Sequence, residues 1–225
     1  MWQQILGEPA LYRAQYKADF GQPWSALLQL DDKRWLAFSP GPELLDSALA
    51  LMGEGAELLI VAPASAHTMG VRPWLDGIEG ARVFASDTAR PRLASKCQCQ
   101  PEPPDALAEL LPTGVRCHEP PDAANGELWI EVESGNQSFW LVCDVFLNLP
   151  EINGGFIQRM LIGLYGLKEG LALHRNIGKP MVKKGQFVDW ARDRFAADRK
   201  QVLVPCHGDV LKEENTGPQM LALLG

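Results

Sequence analysis

Long apolar runs are missing from this chain of 225 residues. No stretch approaches the roughly 20 apolar residues that span a bilayer. The first residues, MWQQILGEPALYRAQY, do not show a basic segment followed by an apolar one, so we expect a soluble chain without an export signal. A glycine-rich phosphate loop, a G-x-S-x-G elbow and a dinucleotide fingerprint are also missing. These absences exclude the commonest nucleotide-binding and serine-hydrolase signatures.

Positive charge is scarce. Lysine and arginine number 21 against 28 acidic residues, which gives a net charge of −7. Nucleic acids and anionic membranes require a basic face, so neither is an expected partner. Five cysteines are an odd number in a chain with no export signal, which favours free thiols and a cytoplasmic location.

The stretch LLIVAPASAHTMG, from Leu58 to Gly70, organises the rest of the chain. Its apolar, partly β-branched start predicts a buried strand that ends at Pro63. His67 follows in a loop of small residues, and GVRPWLDGI then predicts a short helix. His67 therefore lies in the loop between the carboxyl end of a strand and the following helix, which is the sheet edge where α/β proteins form functional sites.

Other segments predict an alternation of strands and helices. WSALLQL and RWLAFS predict one hairpin, and ELWIEVES and QSFWLVCD a second, with one face in the core and the other partly solvated. SPGPELLDSALALMGEG predicts a helix, QVLVP a late strand and PQMLALL a closing helix. Lys96 to Pro121 predicts loop around a helical turn or two, and 151–198 predicts a helical segment that includes GFIQRMLIGLYGLKEGLAL and KKGQFVDWARDRFAAD.

Three strand ends resemble the signature of the metallo-β-lactamase superfamily, in which a buried strand runs into H-x-H-x-D-H. Ala62, Ala64 and Ala66 stand at the places of two histidines and the aspartate, and His67 matches the last histidine. FWLVCD ends at Asp144, where the family has an aspartate that bridges two metals. VLVPCHGD supplies His207, where the family has its terminal histidine.

The resemblance implies an α/β (α+β) fold, a four-layer αββα sandwich in a single domain over 1–225, with a helical cap at about 151–198. It also implies a ligand-poor branch with a degenerate motif. The first metal site has lost the ligands at Ala62 and Ala64, and His118 is a poor candidate for its third histidine. The second site retains His67, Asp144 and His207, which can hold a single zinc or iron ion.

Two functions follow from this set of residues. The first is a degenerate hydrolase fold with no metal, which binds a small molecule or a partner protein. The second is a mononuclear metal-dependent hydrolase of an ester, thioester, lactone or phosphoester, with His67, Asp144 and His207 as ligands. Fold alone does not decide between them.

Structural roles and other functional roles remain open for these residues. His67, Asp144 and His207 are also common types at strand ends, where they hydrogen-bond to loops. Cys143 and Cys206 lie next to the site, and one of them could be a nucleophile. A further set could assemble a separate zinc site: Cys97, Cys99, Cys117 and His118. Trp74 could wall a pocket, and four arginines could line an anion-binding rim or a solvated face: Arg159, Arg175, Arg192 and Arg194.

Overall fold

Two β-sheets stack face to face in the described part of the chain, and apolar side chains from both fill the space between them. The computed structural model describes residues 1–18, 22–151, 163, 165, 167–176, 179–180, 182, 185–195 and 198–225. Leu28, Phe38 and Val61 reach into this layer from one sheet, and Ile130 and Leu141 from the other. The inter-sheet core is therefore the centre of the molecule.

The first sheet has six strands within the described residues, in the spatial order β1 to β6. Their bounds are Gln3–Leu6, Leu11–Gln15, Trp24–Gln29, Arg34–Phe38, Glu57–Val61 and Arg82–Phe84. Strands β1 to β4 run antiparallel, whereas β4, β5 and β6 run parallel. The predicted hairpin of β3 and β4 and the predicted buried strand β5 are confirmed. Because β5 is covered on both faces, its sequence is apolar throughout instead of alternating.

The second sheet has the order β14-β9-β8-β7 among the described strands. Their bounds, from β7 to β9 and then β14, are Val115–His118, Trp129–Ser134, Gln137–Val142 and Lys200–Pro205. Strands β8 and β9 form the second predicted hairpin, and β14 lies parallel to β9. Strand β7 lies inside the Lys96–Pro121 segment for which loop was predicted. It was missed because VRCH is too short to show a period.

Two shorter strand pairs among the described residues lie between β9 and β14 in the sequence. Strand β10, Phe146–Leu149, pairs antiparallel with β11, Gly170–Leu173, and β12, Arg175–Asn176, pairs with β13, Lys179–Pro180. The helix predicted to reach Leu173 is wrong over its last four residues. Gly170 has a φ of +77°, which a helix does not accommodate, and the following residues pair with β10.

Helices cover the outer faces of both sheets. In chain order α1 to α6 they span Leu45–Met52, Val71–Gly77, Arg90–Cys97, Pro104–Ala108, Gln186–Phe195 and Thr216–Ala222 in the described ranges, and a 3₁₀ turn, Pro42–Leu44, precedes α1. Helices α1, α2 and α3 pack on the first sheet, and α5 and α6 on the second. The layers are thus helix, sheet, sheet, helix, as the predicted αββα sandwich requires.

The outer face of β8 corrects one expectation. Ile130 and Val132 lie in the inter-sheet core as predicted, but the opposite face is not solvated. Trp129 is fully buried and Glu131 is 8% exposed, because α5 lies over them. Of the predicted helical cap at 151–198, the described part contains α5 and three short strands, and residues 152–162 lie outside the described residues.

No helix among the described residues is both long enough and apolar enough to cross a membrane.

Candidate metal centre

His67 stands in the loop between β5 and α2. The backbone turns there through a hydrogen bond from the His67 N–H to the carbonyl of Ala64. Gly70 ends the loop against Pro40, where an added Cβ would overlap the Pro40 carbonyl oxygen. The loop therefore passes close to the chain that follows β4, and the imidazole is directed inward with 8% of its side chain exposed.

Asp144 and His207 reach the same place from the second sheet. Strands β9 and β14 are parallel neighbours in which Val142 is paired with Pro205, and the Cys206 N–H donates to the Val142 carbonyl at 2.9 Å. Residues that follow the two strands are therefore side by side, and Asp144 lies next to His207. Parallel pairing explains how residues 63 positions apart in sequence meet at one sheet edge.

The three predicted ligand residues converge. His67 Nε2 lies 3.2 Å from Asp144 Oδ1, His207 Nε2 lies 3.2 Å from the same oxygen, and the two nitrogens are 3.3 Å apart. A tetrahedral zinc ion with bonds of about 2.0–2.1 Å separates neighbouring ligand atoms by about 3.3–3.4 Å. The triangle of donor atoms thus has the size of one face of a zinc coordination tetrahedron.

Charge complementarity holds this triangle together. Burial disfavours the charged form of His67, but attraction to Asp144 outweighs burial and raises the pKa of His67 to about 9. Burial likewise disfavours the Asp144 carboxylate, yet His67 and His207 hold the pKa of Asp144 well below its usual range. The carboxylate is therefore ionised, and its charge favours the protonated form of His67.

The other nitrogen of His67 also has partners. Nδ1 lies 2.8 Å from Ser39 Oγ and 3.4 Å from the hydroxyl of Tyr16, and these two hydroxyls are 3.0 Å apart. Ser39 follows β4 and has a φ of +55°, which is unusual for serine. When Nδ1 carries a proton and donates it to Ser39, the lone pair of Nε2 faces Asp144 and His207, as a metal ligand requires.

Asp144 is fixed by a buried carboxylate beneath it. Glu127 is fully buried, and its Oε1 accepts hydrogen bonds from the Asp144 and Val145 N–H groups, both at 2.7 Å. Oε2 accepts from the Trp129 indole at 2.5 Å. The side-chain amide of Asn125 donates to Glu127 Oε1 at 2.9 Å and to Asp144 Oδ2 at 3.1 Å.

Glu127 is therefore a support for the loop and not a free ligand, because both of its oxygens are already occupied by donors. Burial and the nearby charge of Asp144 raise the pKa of Glu127 to about 7, against the opposing effect of the donors. His174, which follows β11, completes the support. Its backbone N–H donates to the Val145 carbonyl at 3.0 Å, and burial lowers the pKa of its ring.

A cavity of about 290 Å³ opens over the triangle. His67, Asp144 and His207 line it together with Tyr16, Met69 and Lys96, among others. Ala66 is exposed and also lines it. Ala62 and Ala64 are completely buried and offer no ligand atom.

Several other predicted site residues lie elsewhere. His118 Nε2 donates to Glu131 Oε2 at 2.9 Å and the ring packs on Trp140, so His118 is not a third ligand of a first metal site. Within the described residues, no group of three donors contains Cys97, Cys99 or Cys117. The separate zinc site proposed for these residues is therefore wrong.

The pocket wall and the arginine rim are also not found in the described part. Trp74 is fully buried under the first sheet and donates to the Gly41 carbonyl at 2.9 Å, so it does not line the cavity. Arg192 pairs with Asp189 on an exposed helix face, and Arg194 packs on Trp190. Arg159 and the side chain of Arg175 lie outside the described residues.

Comparisons with solved structures agree with the layer order. No protein-family model and no curated protein matches the sequence. A metallo-beta-lactamase from Hirschia baltica superposes with a TM-score of 0.58 at 13% identity, covering 99% of this chain and 95% of that one. The structure of TMB-1 superposes with a TM-score of 0.60 at 15% identity, covering 100% and 96%. The chain has the metallo-β-lactamase fold.

Proposed function

We propose that this protein is a mononuclear metal-dependent hydrolase whose single ion is held by His67, Asp144 and His207. The observation that supports it is the triangle of three donor atoms with sides of 3.2, 3.2 and 3.3 Å. Two histidines and one carboxylate are a donor set that suits zinc or ferrous iron and leaves coordination positions open. When bound, such an ion lowers the pKa of a water molecule to about 7 and polarises an acyl or phosphoryl oxygen.

The protein's own residues orient the proposed ligands and form the cavity for the substrate. Ser39 and Tyr16 fix the orientation of His67 from behind, and Glu127 fixes the backbone of Asp144. The cavity of about 290 Å³ has room for a small molecule, and Lys96 at its edge offers a positive charge to an anionic group. We propose an ester, thioester, lactone or phosphoester of a small molecule as substrate, and the reducing cytoplasm as the compartment of its five free cysteines.

A binding protein without metal chemistry is the second candidate. The fully buried Ala62 and Ala64 favour it, because they stand where the resembling family has ligands. In that case the His67–Asp144–His207 cluster is a buried ion pair that a proton holds together, and the cavity binds a small molecule or a partner.

Metal content separates the two candidates. The full chain is purified without a polyhistidine tag, and its metals are measured by elemental analysis beside His67→Ala and, as a control, His118→Ala. We expect near-stoichiometric zinc or iron in the parent and in the control, and none in His67→Ala. Absence of metal from the parent, even after incubation with excess zinc and iron, overturns the metal-dependent proposal and supports the binding protein.

Hydrolysis is tested separately. The metal-loaded parent is screened with ester, thioester, lactone and phosphoester substrates, together with His207→Ala. We expect turnover by the parent and a loss of at least about 100-fold in the variant, since it lacks one of the ligands. A metal-loaded parent that hydrolyses none of the four classes overturns the hydrolase proposal while leaving the metal site in place.

A further inference from the structure

Two thiols lie directly behind the candidate metal centre. Cys143 follows β9 and Cys206 follows β14, so the parallel register that brings Asp144 beside His207 also brings Cys143 beside Cys206. Both cysteines are free and buried, at 0% and 2% exposure. Their Sγ atoms lie within 4.8 Å of each other.

His67 is within reach of both thiols. A ring nitrogen of His67 and the two Sγ atoms all lie within 4.8 Å of one another. Zinc bonds of about 2.3 Å to sulfur and 2.0–2.1 Å to nitrogen separate ligand atoms by about 3.6–3.8 Å, so movements of about 1 Å suffice to place the three donors around one ion.

The surroundings favour a neutral complex. Cys143, Cys206 and Ala64 belong to the apolar inter-sheet core. A divalent ion with two thiolates and a neutral imidazole has no net charge, and a neutral group is the kind that an apolar interior tolerates. Soft thiolate ligands also select ions such as zinc and cadmium over magnesium or calcium.

We propose that His67, Cys143 and Cys206 form a second, sulfur-rich metal site for a thiophilic divalent ion of the zinc and cadmium type, and that an ion in this site takes the His67 nitrogen in place of the His67–Asp144–His207 site. It does not require the hydrolytic function, and it uses neither Asp144 nor His207. On binding, the ion forms two metal–sulfur bonds and one metal–nitrogen bond, and the two thiol protons pass to solvent. No electron is transferred.

Cobalt(II) titration of the metal-free full chain under reducing conditions tests this site. Thiolate ligands of cobalt(II) produce a charge-transfer band in the near ultraviolet, whereas nitrogen and oxygen ligands produce only weaker visible bands. We expect the near-ultraviolet band in the parent. It should be lost from the Cys143→Ser/Cys206→Ser double variant and retained in the matched control Cys97→Ser/Cys117→Ser.

His207→Ala separates this proposal from the proposed function. The near-ultraviolet band should persist in His207→Ala, because that residue is not a ligand of the sulfur-rich site. Visible bands that persist in the Cys143→Ser/Cys206→Ser variant report the His67–Asp144–His207 site independently. A Cys143→Ala/Cys206→Ala variant, checked for native circular dichroism, repeats the experiment if the serine hydroxyls disturb the core.

Two results overturn the proposal. One is a parent that shows only visible cobalt bands. The other is a near-ultraviolet band that survives unchanged in folded variants lacking both thiols. Loss of the visible bands from the thiol-free variants contradicts the proposed function instead.

Discussion

Replacing Ser39 with glycine should weaken metal binding without touching a ligand. Ser39 Oγ lies 2.8 Å from His67 Nδ1, on the far side of the ring from the donor triangle. Glycine removes this hydroxyl and accepts the φ of +55° at no steric cost, whereas serine and alanine both carry about 1–2 kcal/mol of strain at this φ. The backbone hydrogen bonds of Ser39, to Val61 and from the Ser25 hydroxyl, are preserved.

The expected magnitude follows from the role of a partner that orients a ligand histidine. Without an acceptor at Nδ1, His67 is free to take the other tautomer, in which the Nε2 proton blocks the metal. Loss of such a partner typically weakens metal binding about 10–100-fold, or about 1.4–2.8 kcal/mol. Tyr16→Phe should have a smaller effect, because the Tyr16 hydroxyl is 3.4 Å from Nδ1 and Ser39 remains.

Zinc affinity is measured by competition with a chromophoric chelator in a variant without Cys143 and Cys206. The measured affinity then belongs to the His67–Asp144–His207 site alone. Ser25→Ala is the matched control. It removes a buried hydroxyl that bonds the Ser39 carbonyl and the Gly41 N–H, but it does not contact His67. It should lower the free energy of unfolding and leave zinc affinity within about twofold. Parent-like affinity in Ser39→Gly would refute the orienting role.

Three further predictions concern the same centre. Gly208→Ala should lower the free energy of unfolding by at least about 2 kcal/mol, because φ is +97° and a Cβ would overlap a backbone carbonyl of β10. The control Gly53→Ala, with φ at +84° and open space around its Cβ, should lower the free energy of unfolding by only about 1 kcal/mol. Thermal denaturation measures both. Ala66→Asp adds a carboxylate at an exposed position of the cavity and should tighten zinc binding at least about tenfold, read by the same chelator competition; unchanged affinity would show that position 66 does not reach the ion. In metal-free protein the pKa of His67, about 9, exceeds its unfolded value of about 6.5. The stabilisation from its pairing with Asp144 should therefore be complete below about pH 6.5 and lost as pH rises through 9. The free energy of unfolding in urea, measured against pH, should show this decline in the parent and not in His67→Gln.

In this protein, sequence patterns correctly predict the elements that are long or that have clear apolar periodicity and turn residues. The hairpins β3–β4 and β8–β9, the buried strand β5 and helix α1 all follow from apolar periodicity and turn residues. Short elements such as β7 were not predicted, because four residues are too few to show a hydrophobic period. The burial of Glu131 also escaped, since alternation along β8 cannot tell whether a helix will cover the polar face.

The candidate site divides in the same way. His67, Asp144 and His207 are predictable because each lies in the loop that follows a strand and belongs to a chemical type that binds metals. Ser39 was overlooked although it follows β4, the parallel neighbour of β5, and the same strand-end rule would have placed it beside His67. Glu127 could not be found, because alternation assigned it to a solvated face when it is fully buried.

The contacts around the three donors explain how the triangle can form with alanine at positions 62 and 64. Each donor is held by a contact that does not involve the side chains at those positions: His67 by Ser39, Asp144 by Glu127, and His207 by the tight passage of Gly208 against β10. The two alanines face apolar neighbours and leave these contacts intact. Because the three donors come from three separately fixed loops, the side chains at positions 62 and 64 do not set the geometry of the triangle. The proposed single-ion site is therefore independent of the side chains at those two positions.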